Sequence, residues 1–293
     1  MAFTEKELQI TFKIGQGRFG EEGFDTVTVA GLRARAKISN AGGAMMPTLD
    51  LTVYGMPLSR MNQLSNLGIV ISANGTRNDV LLMAGDRGKT LSKVYEGNIY
   101  SAYVDGDSAP NVAFRVISKT AAFAAIKPIP VSSYPDTIDV ADHIQSVATK
   151  IGFKFENHGV KVMLTRPYFP RTGREQILAA IKAAGIQWNC GENGTVAIWP
   201  KGGHRQTGTV PIISPRTGMV GYPAFTGSGV KVRTLFNPAI VHGSQIKIEG
   251  SQFPQANTKF NIFKIDHDLA CFEPNGPWFS DLDCVVPGFI KVA

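Results

Sequence analysis

Apolar and polar residues alternate along roughly the first 133 positions in short runs separated by turn-forming residues. The runs at 7–14 (ELQITFKI), 25–32 (DTVTVAGL), 33–39 (RARAKIS), 48–55 (TLDLTVYG), 69–75 (IVISANG), 78–85 (NDVLLMAG), 92–104 (SKVYEGNIYSAYV) and 111–126 (NVAFRVISKTAAFAAI) show this period. Successive side chains of an extended chain point to opposite faces, so a period of two predicts strands with one buried side. The Val, Ile, Tyr and Thr content and the short spacing suit an antiparallel barrel or sandwich. Asn74-Gly75 has the chemistry of a two-residue hairpin turn, because both central positions of that turn need positive φ. A single helix is predicted at 56–68 (MPLSRMNQLSNLG), with Pro57 in its first turn and Gly68 past its end.

Beyond the proline-marked stretch 127–137 (KPIPVSSYPDT) the period lengthens to about 3.6. Ile144, Val147, Ala148 and Ile151 form one helical face, and Gly152 is placed to cap it. A second helix starts at the Thr172-to-Glu175 capping box and ends at Gly185. Short strands are expected at 160–164 (VKVML), 186–190 (IQWNC) and 195–200 (TVAIWP), the last two turning at Asn193-Gly194. This predicts a compact α/β module at 136–201. After a linker-like stretch at 201–208 (KGGHRQTG), strands resume at 211–221, 229–236, 244–250, 259–272 and 278–286, with PNGP at 274–277 as the tip of the last hairpin. Within them, 235–250 (LFNPAIVHGSQIKIEG) stops and restarts twice. An active-site loop carrying Asn, His and Ser and a pair of turns in a small barrel both fit that wording.

Composition narrows the classes. Hydrophobic residues are 43% and charged residues 18%, with Gly 31 and Pro 17, as in a turn-rich folded chain rather than a disordered one. No run approaches the roughly 18–20 apolar residues that span a bilayer, and the first fifteen residues carry charges where an export signal has its apolar core. Folding in the cytoplasm without membrane insertion is therefore expected. Cys190, Cys271 and Cys284 lack the paired short spacing of a zinc site, and their odd number is no disulfide framework. Free, buried thiols are expected, with Cys271 and Cys284 also able to face each other across one hairpin.

The net charge of +7 invites a nucleic-acid reading. Basic residues exceed acidic ones by two over 1–136, three over 137–204 and two over 205–293, so no segment is a basic domain. Arg33, Arg35 and Lys37 recur at period two and so share one strand face, opposite Leu32, Ala34, Ala36 and Ile38. A solvated face and a positive stripe turned toward a partner or channel are both consistent with this.

Catalytic motifs do not assemble. Gly15-Gln-Gly17-Arg-Phe-Gly20 has the letters of a dinucleotide fingerprint, but EEGFDTVTV follows where that motif needs a helix N-terminus. Residues 85–90 (GDRGKT) resemble the end of a phosphate loop, yet Met83 stands where the first glycine belongs, so a hairpin loop is expected. Asp266-His267-Asp268 is the densest group of potential ligands, but in a strand both carboxylates point away from the imidazole. His143, His158, His204 and His242 are scattered. Asn74-Gly-Thr and Asn193-Gly-Thr fit a glycosylation sequon but read as turns, and Trp188, Trp199 and Trp278 read as core aromatics. No catalytic, cofactor-binding or metal-ligating set is expected.

The C-terminal wording GYPAFTGSGVKVRTLFNPAIVHGSQIKI, followed by FKIDHDLACFEPNGPWFSDLDCVV, resembles the end of the baseplate hub proteins of tailed bacteriophages. These are the late control protein D-like family, related to the hub part of type VI secretion spikes. The resemblance is carried by Val230, Val232, Leu235, Asn237, Pro238, Ile240, Gly243, Ile246 and Ile248, then by His267, Asp268 and Trp278. TLDLTVYGMPLSRMNQLS is similar to the strand and short helix of hub tube domains. His242-Gly243-Ser244 stands where the family usually has Pro-Gly-Asp, and no peptidoglycan-binding or lytic insert is apparent.

The resemblance implies a mainly β chain with an α+β insert: two small antiparallel β-barrel, tube-like domains at 1–135 and 205–293 flanking a two-helix α/β module at 136–204. It also implies a non-enzymatic virion protein without cofactors. Three copies would form a pseudo-sixfold ring that adapts the hexameric tail tube to the trimeric central spike and lines the DNA channel. The implied partners are further copies in a homotrimer, the tail tube or distal tail protein, the central spike protein, the tape-measure protein, and passing DNA through transient non-specific contact. The implied location is the host cytoplasm during assembly and then the tail baseplate. Arg33, Arg35 and Lys37 become candidate channel or rim charges. The competing readings are another tail component, such as a distal tail or tube-like protein, and, from a different class, a soluble carbohydrate-binding or enzymatic β-domain protein.

Overall fold

A computed structural model describes residues 4–15, 25–65, 78–107, 109–126, 128–192 and 194–289. The Gly17–Gly20 part of the glycine-rich motif, the strand expected at 69–75 with its Asn74-Gly75 turn, Gly68 and Asn193 lie outside these residues. The chain is mainly β with a few short helices. Among the described residues no helix is long and apolar enough to cross a membrane. Two compact units are present, one comprising Met1–Ser39, Pro47–Phe123 and His267–Trp278, the other Asn40–Met46, Ala124–Asp266 and Phe279–Ala293.

The first unit contains β1 (Lys6–Lys13), β2 (Thr26–Val29), β3 (Ala34–Asn40), β4 (Thr48–Tyr54), α1 (Leu58–Leu64), β5 (Asp79–Asp86), β6 (Ser92–Asp105) and β7 (Ala113–Lys119). Its strands pair antiparallel in the order β3-β4-β7-β6-β5-β1-β2. Alternation explains the core: Leu8, Ile10 and Phe12 of β1, Leu49, Leu51 and Val53 of β4, and Phe114 and Val116 of β7 are buried, and apart from buried Ala113 their strand neighbours are more exposed. The sheet coils far enough for Phe12 to meet Phe114, three strands away, edge to face at 6.1 Å. Backbone pairing among the described residues does not by itself close the sheet into a barrel.

Two expectations here need correction. The run at 111–126 is not one strand: Ala121 takes φ of 58°, and the chain continues as a short helix, α2 (Ala122–Ile126). Residues 121–125 alternate poorly, and their alanines form helix readily once β7 has ended. The helix expected at 56–68 is described only as α1, which buries Met61 and Leu64. As expected, residues 85–90 belong to a hairpin, spanning the end of β5 and the tight connection to β6.

The second unit begins with β8 (Ser132–Ser133), β9 (Thr137–Asp139), α3 (Val140–Lys150), β10 (Lys154–Asn157), β11 (Met163–Thr165), β12 (Tyr168–Phe169), α4 (Gly173–Ala184), β13 (Gln187–Glu192) and β14 (Thr195–Trp199). Asp139 caps α3 through Ala141 N–H, and α3 buries Ile144, Val147 and Ala148 of the predicted face, whereas Ile151 is the half-buried C-cap residue past its end. Thr172 and Glu175 form the predicted capping box on α4, and Gly185 ends that helix in the left-handed region. The helices accompany a sheet ordered β10-β14-β13, in which β10 runs parallel to β14. Its third strand is therefore β10 rather than the predicted 160–164. Met163–Thr165 instead pairs with β9, and β12 pairs with β8.

The remaining strands are β15 (Ile212–Ile213), β16 (Met219–Thr226), β17 (Gly229–Leu235), β18 (Gln245–Ile248), β19 (Lys259–Cys271) and β20 (Trp278–Val285). β16, β17, β20 and β19 pair in that order, β18 joins β19, and β15 runs parallel to β18. Val230, Val232, Ile240, Ile246, Phe260 and Leu282 are among the residues of its buried cluster. Between β17 and β18, residues 237–244 form a pair of turns. One spans Asn237 to Ile240, whose N–H donates to Asn237 C=O at 3.1 Å, and the other spans Val241 to Ser244. Ile240 sits between them in the core, and Gly243 takes φ of 79° where a Cβ would lie 2.5 Å from the Trp199 ring.

Candidate functional site

The three cations singled out from the sequence converge. Ala34, Ala36 and Ile38 are buried, which turns Arg35 and Lys37 outward on β3, with Arg33 just before it. Register then supplies their neighbours: Arg35 stands opposite Thr52 of β4, Thr52 opposite Arg115 of β7, and Lys37 opposite Asp50. Together with Tyr54 and Glu273 these residues line a polar recess of about 220 Å³. Arg115 was missed. Its place between buried Phe114 and Val116 marks it as outward-facing, but nothing local says that β7 lies beside β4.

The recess is a lattice of mixed charge rather than a bare positive stripe. Arg35 donates through Nε and Nη2 to Asp268 at 2.9 and 2.7 Å, a bidentate pair that raises the arginine pKa. Arg115 Nε donates to Asp105 at 2.6 Å and holds that carboxyl below its usual range. The Arg33 guanidinium lies 4.5 Å from the centre of the Tyr54 ring. Among the described residues, Arg33 and Lys37 have no carboxylate within ion-pair distance. Arg35 and Arg115 are thus held in their charged forms by carboxylate partners, and Asp105 by Arg115.

Each family-motif residue has a structural setting. Asp268 is half-buried on β19 and holds Arg35, and Asp266 holds Lys264 at 2.5 Å, so both carboxylates beside half-buried His267 engage cations. Trp278 is buried, with Lys6 Nζ 5.8 Å from its ring. Asn237 Oδ1 accepts from Ala239 N–H at 3.0 Å and braces the first turn, which contains Pro238. Trp188 and Trp199 are buried too, and they line a second recess of about 220 Å³ with Ile181, Ile262, Phe263 and His242. All three cysteines are free and buried. Burial pushes Cys190 up to about 12 and raises Cys271 and Cys284, so none is an activated thiolate.

Comparison with known proteins points one way. The family model described as baseplate hub gp41 matches residues 7–275. No curated protein matches the sequence. A tail protein from Neisseria meningitidis superposes with a TM-score of 0.61 at 9% identity, covering 97% of this chain and 98% of that one. The 43 kDa tail protein of prophage MuSo2 from Shewanella oneidensis gives 0.56 at 11% identity, covering 95% and 98%. The E. coli c3393 protein gives 0.57 at 10% identity, covering 89% and 75%. That protein is described as a component of the type VI secretion system with structural similarity to T4 tail proteins gp27 and gp5. At these identities the likeness is one of fold.

Proposed function

The chain belongs to the baseplate hub gp41 family, and from that premise we propose that it is the hub subunit of a tail baseplate, a structural virion protein without catalytic activity. Three copies close a ring. Residues 1–135 and 205–293 act as two related tube-like barrels on either side of the 136–204 module. Three chains then present six similar units to the hexameric tail tube or distal tail protein, and threefold symmetry to the central spike, with the tape-measure protein and the passing genome in the channel. The chain assembles in the host cytoplasm before entering the virion.

The observation that carries this reading is the family match across residues 7–275. Antiparallel strands on both sides of the two-helix module, fixed charges in the recess and protonated thiols support it. The test is light scattering of the chain alone and mixed with the tube and spike proteins of the same virion. Three copies per complex are expected, and a chain that stays monomeric with both partners present refutes the ring. For the channel, Arg33→Glu with Lys37→Glu is a cleaner charge reversal than one including Arg35, which would also break the Asp268 pair. Impaired DNA delivery by assembled particles is expected, and unchanged infectivity removes the assignment.

A further inference from the structure

The segment Arg166-Pro-Tyr-Phe-Pro-Arg171 is held rigidly and offers one aromatic ring to solvent. Tyr168 stands opposite Ser133, and Phe169 opposite Ser132, in the β12–β8 pair. Residues opposite each other share a face and alternate along the strand. Phe169 and Ser132 are accordingly buried, with Phe169 stacked on His143 at 4.4 Å. Tyr168, Ser133, Val131 and Pro170 are exposed on the other side, Tyr168 at 64% and Val131 at 50%.

Both ends of the segment are fixed by backbone geometry. Pairing shifts register between Tyr168↔Ser133 and Thr165↔Thr137, and Arg166 takes φ of 48° there. It shifts again at the Pro128↔Thr172 bridge, beside Arg171 with φ of 82°. Non-glycine residues rarely adopt such values, and Pro167 and Pro170 restrict the backbone further. Little conformational freedom is left for a partner to remove.

The surface has a definite charge. Residues 161–171 carry Lys161, Arg166 and Arg171 and no carboxylate. All three cations are exposed. Arg171 reaches Glu175 only at 3.6 Å, and Asp136, across the ribbon, is the exposed acidic neighbour. Tyrosine and arginine are the residue types that most often dominate binding energy at protein interfaces.

We infer that the face formed by Val131, Tyr168 and Pro170, flanked by Arg166 and Arg171, is a docking surface for an acidic protein segment. Such a segment lays an apolar side chain on Tyr168 and Val131 and places carboxylates against the two guanidinium groups. A protein fits better than a nucleic-acid strand, because single-strand grooves use successive aromatic platforms, whereas this face has one ring bordered by aliphatic surface.

The experiment is fluorescence anisotropy on the full chain with a labelled short peptide alternating Glu and Leu. Its controls are the same peptide with Gln for Glu and a short oligodeoxythymidine. Saturable binding of the acidic peptide is expected, lost with the Gln peptide and at least about tenfold weaker for Tyr168→Ala and for Arg166→Gln/Arg171→Gln. Tyr168 and both arginines are exposed, so the variants should keep the parent melting temperature, and Tyr168→Phe, which keeps the ring, should retain binding. Absence of saturable binding, equal affinity across the variants, or tighter binding of the oligonucleotide overturns the inference. Assembly of three copies plays no part in this test, so its outcome is independent of the proposed hub function.

Discussion

Mild acid should destabilise this chain before its carboxylates begin to protonate, and two buried histidines are the reason. His143 is fully buried on α3, stacked on Phe169, with Nδ1 3.1 Å from the Tyr134 hydroxyl. His242 is 4% exposed, and its Nε2 lies 2.9 Å from the Phe263 carbonyl. Burial disfavours the imidazolium in both, helped by Lys150 near His143 and Arg205 near His242. Each is lowered from 6.5 to about 4. The folded state therefore resists protons that the unfolded chain accepts. The contribution is complete above pH 6.5 and is lost as pH falls toward 4. At pH 5 each histidine has lost about 2 kcal/mol, and the pair about 4 kcal/mol, a large share of a typical folding free energy. Glu156, Glu175 and Asp86 have lowered pKa values, so the stability they contribute is lost only from the ordinary carboxylate range downward, which leaves the interval from pH 7.5 to 5 to the histidines. Urea unfolding followed by circular dichroism at pH 7.5 and 5.0 measures the effect. His143→Asn and His242→Gln, which keep a nitrogen donor near Nδ1 and Nε2, should each lower stability at pH 7.5 yet roughly halve its pH dependence. The double variant should show almost none. A parent chain equally stable at both pH values, or a pH dependence that survives in the double variant, refutes the reasoning.

Smaller perturbations test the packing. A double-mutant cycle with Arg35→Ala and Asp268→Ala should give a coupling of about 1 kcal/mol, because the pair is bidentate but more than a third exposed; denaturation curves measure it, and zero coupling counts against the pair. Gly229→Ala should lower the melting temperature sharply, since the new Cβ would lie 2.2 Å from Cys284 O and 2.8 Å from Val285 Cα. Gly227→Ala, two residues away with open space around it, should change little, and equal effects from the two would contradict the geometry. Thr172→Ala should cost about 1 kcal/mol by removing the side-chain half of the α4 capping box, measured by thermal unfolding.

Alternation and capping are local, and where they are strong they decided the outcome. Ala34, Ala36 and Ile38 determined which way Arg35 and Lys37 face, because a strand's pleat allows no other arrangement once one side is buried. Ile144, Val147 and Ala148 determined the buried face of α3, and Thr172 with Glu175 the start of α4. The Asn237-Pro238 and His242-Gly243 stops were legible as breaks in the strand, because a restricted or left-handed backbone is a property of the residue itself, but an active-site loop and a pair of turns fitted them equally until the structure showed the turns. Weak local signals misled. Lys154–Asn157 does not alternate cleanly, and its strand exists because β14 offers it a parallel partner. Ala122–Ile126 continued an apolar run but lost its strand neighbour. Above all, the recess needed tertiary structure. Arg35 meets Asp268 across 233 positions, and Arg115 joins them because β7 pairs with β4. Which strand lies beside which depends on distant backbone pairings, whose loop-closure cost and burial gain are summed over the whole fold. A period of two orients each side chain but carries no record of its neighbour.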